Sequence, residues 1–284
     1  RTLCPIRAWG FKSPLRHNKN FAEIFELSSS NINFHIKMTI RKIEVQRFKK
    51  ISALLNDVLK KYEKVVVAFS GGVDSTLLAA AALKSLGPNN VIAATAVSPS
   101  LGASDLQKCK EIAEELGLTW RQVKTNEFSN KDYLSNDKDR CYWCKYSLMQ
   151  ELMPISDEFN SKVILGVNLD DLTDYRPGQN AALKFGAEFP LVEAGLTKED
   201  VRQLAKYWNL SNWDRPAQPC LASRIPYGTS ITVGIMSTVD RAEMLLRDLG
   251  FDNVRVRHYG DTARVEVPEE DLVYVCENSK IIVT

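Results

Sequence analysis

The sequence predicts an α/β protein built on a doubly wound parallel sheet, followed by a smaller C-terminal α+β domain. Three observations carry this. Apolar runs at 65–69, 91–97, 119–123 and 162–167 alternate with segments of helical period, as expected of buried strands joined by crossover helices. A glycine pair sits at the first strand-to-helix junction, in Ser70-Gly71-Gly72-Val73-Asp74-Ser75-Thr76. Beyond Gly228 the alternation gives way to a helix, two short strands around Gly260-Asp261 and a second helix.

In chain order, residues 1–37 show no sustained period and carry Glu23 and Glu26 among their basic residues. They are expected to be an upstream extension without regular structure rather than a targeting presequence, with Met38 resembling a start. Ile51, Leu54, Leu55, Val58 and Leu59 recur at helical spacing, so a lead-in helix is expected within 43–62. The first strand, 65–69, runs through the glycine turn into an alanine- and leucine-rich helix, 76–86. Strand 91–97, helix 104–116 and strand 119–123 follow. Strand 162–167 ends at Asn168-Leu169-Asp170-Asp171, placing polar groups where open α/β sheets bind ligands. Helix 198–207 leads to an irregular stretch, 212–229, too rich in Pro and Trp for a regular element and too long for an idle connection. Helix 231–249, strands 254–258 and 263–267 and helix 269–276 make the smaller unit. A last strand, 280–284, stops abruptly. The expected division is 1–37 extension, 38–228 main domain, and 229–284 small domain, possibly cut short.

The chain has 284 residues, 44% hydrophobic and 25% charged, enough for one large or two modest cores. A net charge of +2 gives no global attraction for nucleic acid, and a small-molecule partner is expected instead. No apolar run approaches the roughly 20 residues that span a bilayer, so the expected location is the cytoplasm.

Gly71 and Gly72 can take backbone angles closed to other residues and let main-chain N–H groups approach an anion, while the following helix adds partial positive charge. The turn should cradle a pyrophosphate through Ser70, Gly71, Gly72, Asp74, Ser75 and Thr76. No Lys-Ser/Thr pair closes it, so it is not a Walker loop. Asp74 and Ser75 can cap the helix, and can also meet phosphate or Mg²⁺. The segment Ser-Gly-Gly-x-Asp-Ser resembles the signature loop of the PP-loop ATP pyrophosphatases, of the adenine nucleotide alpha hydrolase-like fold. The resemblance implies cleavage of ATP between its α and β phosphates, adenylation of a substrate oxygen, and displacement of AMP by nitrogen or sulfur. It also implies that Ser98, at the end of the second strand, lies near the adenine.

Of the cysteines, Cys109 lies among Leu106, Ile112, Ala113 and Leu116, and Cys276 follows Leu272, Val273 and Val275; both read as packing residues. Cys141 and Cys144, in Arg140-Cys-Tyr-Trp-Cys-Lys145, and Cys220, in Pro219-Cys-Leu-Ala-Ser-Arg224, are the metal or redox candidates. Two-residue spacing lets both thiolates face one metal. A buried pair, a disulfide, structural zinc, an iron–sulfur cluster with one open iron and a dithiol redox pair remain open on spacing alone. Zinc would need a fourth ligand, and His258 is the one histidine beyond the extension.

Longer stretches narrow the family: Gly166-Val-Asn168 with Asp174-Tyr-Arg176-Pro-Gly178, then Pro219-Cys-Leu-Ala-Ser-Arg-Ile-Pro-Tyr-Gly228, then Val254-Arg-Val-Arg257 with Ala263-Arg264-Val-Glu-Val-Pro268. From about Lys50 onward the chain resembles the LarE sulfur transferases, which act on pyridinium-3,5-biscarboxylic acid mononucleotide in building the nickel-pincer nucleotide cofactor. The resemblance implies a homo-oligomer and a further segment beyond residue 281. One branch of that family sacrifices the sulfur of a cysteine at the position of Cys220. Another holds a 4Fe-4S cluster on three cysteines, and Cys141, Cys144 and Cys220 resemble that set. Arg224, Ser223, Arg176, Arg255 and Arg257 are candidate substrate contacts, since guanidinium forks suit phosphate and carboxylate. Asp170, Asp171 and Asp174 are candidate Mg²⁺ ligands.

The expected reaction is ATP- and Mg²⁺-dependent adenylation of a carboxylate, followed by attack of sulfur held at Cys220 and the Cys141/Cys144 pair. Three rivals stay open. A tRNA thiolase should show a basic face or an RNA-binding domain. An ammonia-dependent synthetase would leave the cysteines incidental. A degenerate nucleotide-binding protein with a structural metal would release no pyrophosphate.

Overall fold

The computed structural model describes residues 42, 44–173, 176–251 and 253–277. The extension expected at 1–37, Asp174 and the final strand expected at 280–284 lie outside them. Contacts divide the chain into Arg1–Arg47, of which 42 and 44–47 are described and helical, and Phe48–Thr284, which holds everything that follows.

Four parallel strands form the central sheet: β1 (Val65–Ala68), β2 (Val91–Val97), β3 (Thr119–Lys124) and β4 (Lys162–Leu165), in the order β3-β2-β1-β4. Val66 pairs with Ile92 on one side and Val163 on the other. The strands alternate between two cores. Val65, Val67, Ala93 and Ile164 pack with Leu77, Leu78 and Leu204 on one face, while Val66, Ile92, Ala94, Val163 and Leu165 pack with Met149 and Leu152 on the other. That burial on both faces explains the unbroken Val/Ile/Ala runs, each large side chain contributing about 1.5–3 kcal/mol.

A lead-in helix, α1, is helical over 44–59. Helix α2 (Val73–Leu86) is buried from Val73 to Ala82 apart from Asp74, because its alanines let it lie close against β1 and β2. α3 (Ala103–Leu116) ends at Gly117 in the left-handed conformation. The short α4 (Lys131–Leu134) and the nineteen-residue α5 (Arg140–Glu158) form the crossover to β4, a stretch in which the sequence reading names no element. α5 forms because Leu148, Met149 and Leu152, at helical spacing, bury against the sheet, and it carries Pro154 near its end. α6 (Pro177–Lys184), α7 (Pro190–Glu193) and α8 (Lys198–Tyr207) follow, α8 opening on a capping box of Thr197 and Asp200.

The irregular 212–229 stretch contains a 3₁₀ turn, Leu221–Arg224, and packs Leu221, Ala222 and Ile225 against Tyr133 and Met236. Helix α9 (Val233–Asp248) leads to the antiparallel hairpin of β5 (Arg255–Tyr259) and β6 (Thr262–Glu266), followed by α10 (Leu272–Glu277). Leu246, Phe251, Val254 and Val256 form a small core of their own. Among the described residues no helix is long and apolar enough to cross a membrane.

Candidate functional site

The glycine turn sits at the C-terminal edge of the sheet. Gly71 has φ +65°, and a Cβ there would lie 2.9 Å from Cys109 Sγ. Its neighbours are laced together: Ser75 Oγ donates to the Gly72 carbonyl at 3.1 Å and accepts from the Ser70 N–H at 3.2 Å. These bonds fix the backbone of the turn at the start of α2, the end of a helix whose N–H groups suit an anion. Asn212 clamps the turn from behind, donating to both the Gly71 carbonyl and Thr76 Oγ1 at 2.9 Å, while Arg215 pairs with Asp105.

Beside the turn, Asp74 accepts from Asn168 Nδ2 at 2.9 Å and from Lys198 Nζ. A cation and a carboxylate thus meet where polyphosphate and Mg²⁺ charges would have to be balanced. Gly166 makes this junction possible: a Cβ there would lie 2.8 Å from the Asp74 carbonyl carbon and Ser75 nitrogen. The acidic neighbours have internal work. Asp170 accepts from the Lys198 N–H, and Asp171 accepts from the Asn168 N–H and pairs with Arg176 at 2.9 Å.

One strand over, Ser98 Oγ donates to Glu127 Oε1, and Ser100 Oγ bonds Tyr133 OH. The Ser100 carbonyl accepts from the Leu221 N–H at 3.0 Å, which ties this edge to the residue after Cys220.

The sulfur end is assembled by Arg140. This buried residue, next to Cys141, donates to the Ala222 carbonyl at 2.9 Å and to Asn136 Oδ1 at 2.6 Å. It fastens the first turn of α5 to the Cys220 loop. Cys141, Cys144 and Cys220 are each reached by solvent, yet surrounding protein pushes the Cys144 thiol up, helped by the nearby Cys220 and Glu127 charges. Desolvation by the surrounding protein likewise raises the Cys220 thiol, against the pull of Arg140. Lys145, one helical turn from Cys141, is lowered by burial while all three cysteines favour its charged form. The three sulfurs therefore share one electrostatic environment. Among the described residues, no three His, Cys, Asp or Glu side chains stand close enough to share a single metal ion. A cluster is larger than one ion and takes thiolates held further apart, so a donor set made of three cysteines fits it by chemistry.

Beside the Cys220 loop lies a pocket of about 260 Å³ lined by Arg140, Ser223, Arg224, Tyr227, Arg257 and Arg264. Arg224 is only 2% exposed: Glu243 takes its Nε and Nη2, and the Pro219 carbonyl and Ser223 Oγ take its Nη1. Arg257 donates to the Ser223 carbonyl at 2.7 Å and, by hydrogen bonding, holds the Glu266 carboxyl below its ordinary range. Arg255 reaches the Ala217 carbonyl at 3.2 Å instead of lining the pocket. The polar face of β5 therefore supplies donors to loop carbonyls that have no strand partner. The structure brings Ser70, Gly71, Gly72, Asp74, Ser75 and Thr76 into one turn, sets Ser98 at the end of the neighbouring strand, and gathers Ser223, Arg224 and Arg257 around the backbone of the Cys220 loop. Arg176 stays with the β4 loop.

Sequence reasoning assigned no role to Lys198, Asn212, Arg215, Glu127, Arg140 or Lys145. Only a buried polar position, visible in three dimensions, marks most of them. Lys198 alone had a local signal, in the capping box it follows.

The NAD synthase family model matches residues 47–139, which contain the turn. An uncharacterised protein of Synechocystis sp. is 45% identical over 219 residues, 77% of this chain and 81% of its own length. The pyridinium-3,5-bisthiocarboxylic acid mononucleotide synthase of Lactiplantibacillus plantarum is 40% identical over 218 residues, 76% of this chain and 79% of that protein. The solved NMN synthetase of Francisella tularensis superposes with a TM-score of 0.51 at 20% identity, covering 68% of this chain and 86% of that one, and shows the shared fold.

Proposed function

The chain belongs to the family of pyridinium-3,5-bisthiocarboxylic acid mononucleotide synthase, the LarE family, and on that premise we propose that it is an ATP-dependent sulfur transferase of nickel-pincer nucleotide cofactor biosynthesis. Its substrate in this reading is pyridinium-3,5-biscarboxylic acid mononucleotide, and its product the thiocarboxylate. The observation that carries the proposal is the joining of an anion-cradling turn to a three-cysteine environment by the 98–100 edge and Arg140.

In the first step a substrate carboxylate oxygen attacks the α-phosphorus of ATP, forming an acyl adenylate and releasing pyrophosphate. The turn N–H groups and the α2 N-terminus hold the departing charge, and Asp74 is placed for Mg²⁺. In the second step sulfur bonds to the acyl carbon and AMP leaves with the former acyl C–O electron pair. The arginine-lined pocket beside Cys220 suits the substrate's phosphate. Cys141, Cys144 and Cys220 would hold a 4Fe-4S cluster, which when bound supplies a renewable store of sulfur. The alternative is Cys220 giving up its own sulfur: its Sγ displaces AMP, and the Cβ–Sγ bond then breaks by elimination with loss of the Cα proton, leaving dehydroalanine and permitting one turnover per chain. A cytoplasmic homo-oligomer with no nucleic-acid partner, divided near Gly228, completes the reading.

The test combines anaerobic iron and acid-labile sulfide analysis with AMP release, on wild type, Cys144→Ala and Cys220→Ala. Wild type should bind about four irons per chain, as expected of a 4Fe-4S centre; both variants should lose the iron and the thiocarboxylate product while still releasing pyrophosphate. No iron after reconstitution, with activity limited to one turnover, would shift the reading to the sacrificial route. No ATP-dependent AMP from wild type would end the proposal.

A further inference from the structure

Asn212 is 5% exposed, and its amide is used on one side only. Nδ2 donates to the Gly71 carbonyl and to Thr76 Oγ1, each at 2.9 Å, while Oδ1 is buried with no hydrogen-bond partner among the described residues. Turning the amide over would set Oδ1 against the Gly71 carbonyl, acceptor against acceptor, so the turn itself fixes the orientation. A buried acceptor left unsatisfied costs about 1–3 kcal/mol, and a fold that keeps one needs a reason.

The reason lies in the peptide that Asn212 grips. A trans peptide sends its carbonyl and its N–H to opposite sides, and no cis peptide occurs among the described residues. The Gly71 carbonyl faces inward to Asn212, with Arg215 Nη1 as a longer donor at 3.5 Å. The Gly72 N–H therefore faces the other way, where it meets the hydroxyl of the exposed Ser70 at 3.4 Å, a contact long enough to yield to a better acceptor. Glycine on both sides leaves this peptide free to turn over, and the donors from 212 and 215 hold it. Thr76 Oγ1 takes the second amide proton, so one side chain spans the turn from its left-handed glycine to the first turn of α2.

We infer that Asn212 is a positioning residue for the adenylation step: acting through the Gly71 carbonyl, it aims the Gly72 N–H at the departing pyrophosphate. This rests on the ATP-dependent reading above and adds a residue outside the turn on which the step depends. Negative charge grows on the pyrophosphate as its bond to the α-phosphorus breaks. An aimed donor therefore gains strength in the transition state and acts on kcat more than on ATP binding.

Gly71-Gly72 is the one Gly-Gly pair in the sequence. Protein labelled with ¹³C at glycine carbonyls and ¹⁵N at glycine amides thus gives a single carbonyl-to-amide NMR correlation, from the peptide in question. In wild type, Mg²⁺ and pyrophosphate should move its amide proton downfield. Asn212→Leu keeps a branched side chain and removes both donors. It should move the Gly71 carbonyl signal upfield and weaken the response to pyrophosphate. It should also lower kcat for pyrophosphate release about tenfold, short of the roughly 10²–10³ lost with an oxyanion donor itself, while KM for ATP holds. A merely structural role would lower the melting temperature and leave both the correlation and kcat per folded chain unchanged, and that result overturns the inference. So does a wild-type correlation that pyrophosphate leaves in place, even if the variant does not fold. Failure of the ATP-dependent reading is distinct, since there wild type releases no pyrophosphate from ATP.

Discussion

At the scale of the residue, Cys109 shows how a packing side chain can serve a reactive loop. It is fully buried on α3, its Sγ fills the space a Cβ on Gly71 would occupy, and burial pushes its thiol up from 9.0 to about 11. A pKa raised in the folded state means that the stabilisation is complete below pH 9 and is lost as pH climbs through 11. Wild type should lose up to about 2–3 kcal/mol more stability than Cys109→Ala between pH 9 and 11, at about 1.4 kcal/mol per unit, in urea titrations at each pH. Parallel slopes would mean the thiol is not held so high. The glycine turn was legible because its backbone requirement, a positive φ at Gly71, is local. The setting of Arg224 was not, since a guanidinium that could grip a substrate and one locked onto Glu243 look the same in a sequence.

Elements meet most tightly where β4 ends against the start of α2. Gly166 lets the two backbones touch, and Gly178 does the same for α6 and α5, where a Cβ would lie 3.0 Å from the Cys141 carbonyl oxygen. Gly166→Ala should cost about 1–3 kcal/mol, the range for overpacking, and push the first turn of α2 out of line. Urea unfolding should register the first effect and pyrophosphate release the second; an alanine variant with unchanged stability and activity would show that the two elements can part freely. The strands and α2 announce themselves through continuous apolar runs. The α5 helix was not named from sequence although Leu148, Met149 and Leu152 stand at helical spacing, since Pro154 lies inside it and its Cys-x-x-Cys start reads first as a ligand motif.

Across the whole molecule, Glu243 joins parts that sequence keeps apart. Fully buried on α9, it pairs with Arg224 of the Cys220 loop at 2.8 Å and with Arg247, and accepts from the Val256 N–H of β5 at 3.0 Å. Removing one member of a buried ion pair typically costs about 3–5 kcal/mol, so Glu243→Gln should lower stability by that order and speed hydrogen exchange in 219–225 as well as in β5. Exchange confined to β5 would show that the loop is held by other means. The sequence by itself determined the parallel α/β class, the glycine turn after the first strand, the placing of Cys220 and Arg224 in one loop and the family, since each depends on a short-range pattern of residue types. Only the tertiary structure decided that Cys141 and Cys144 share surroundings with Cys220, that Lys198 and Asn168 hold Asp74, and that Asn212 grips the glycine turn. Those facts depend on which distant side chains burial brings within hydrogen-bonding or Coulomb reach, and no local pattern encodes that.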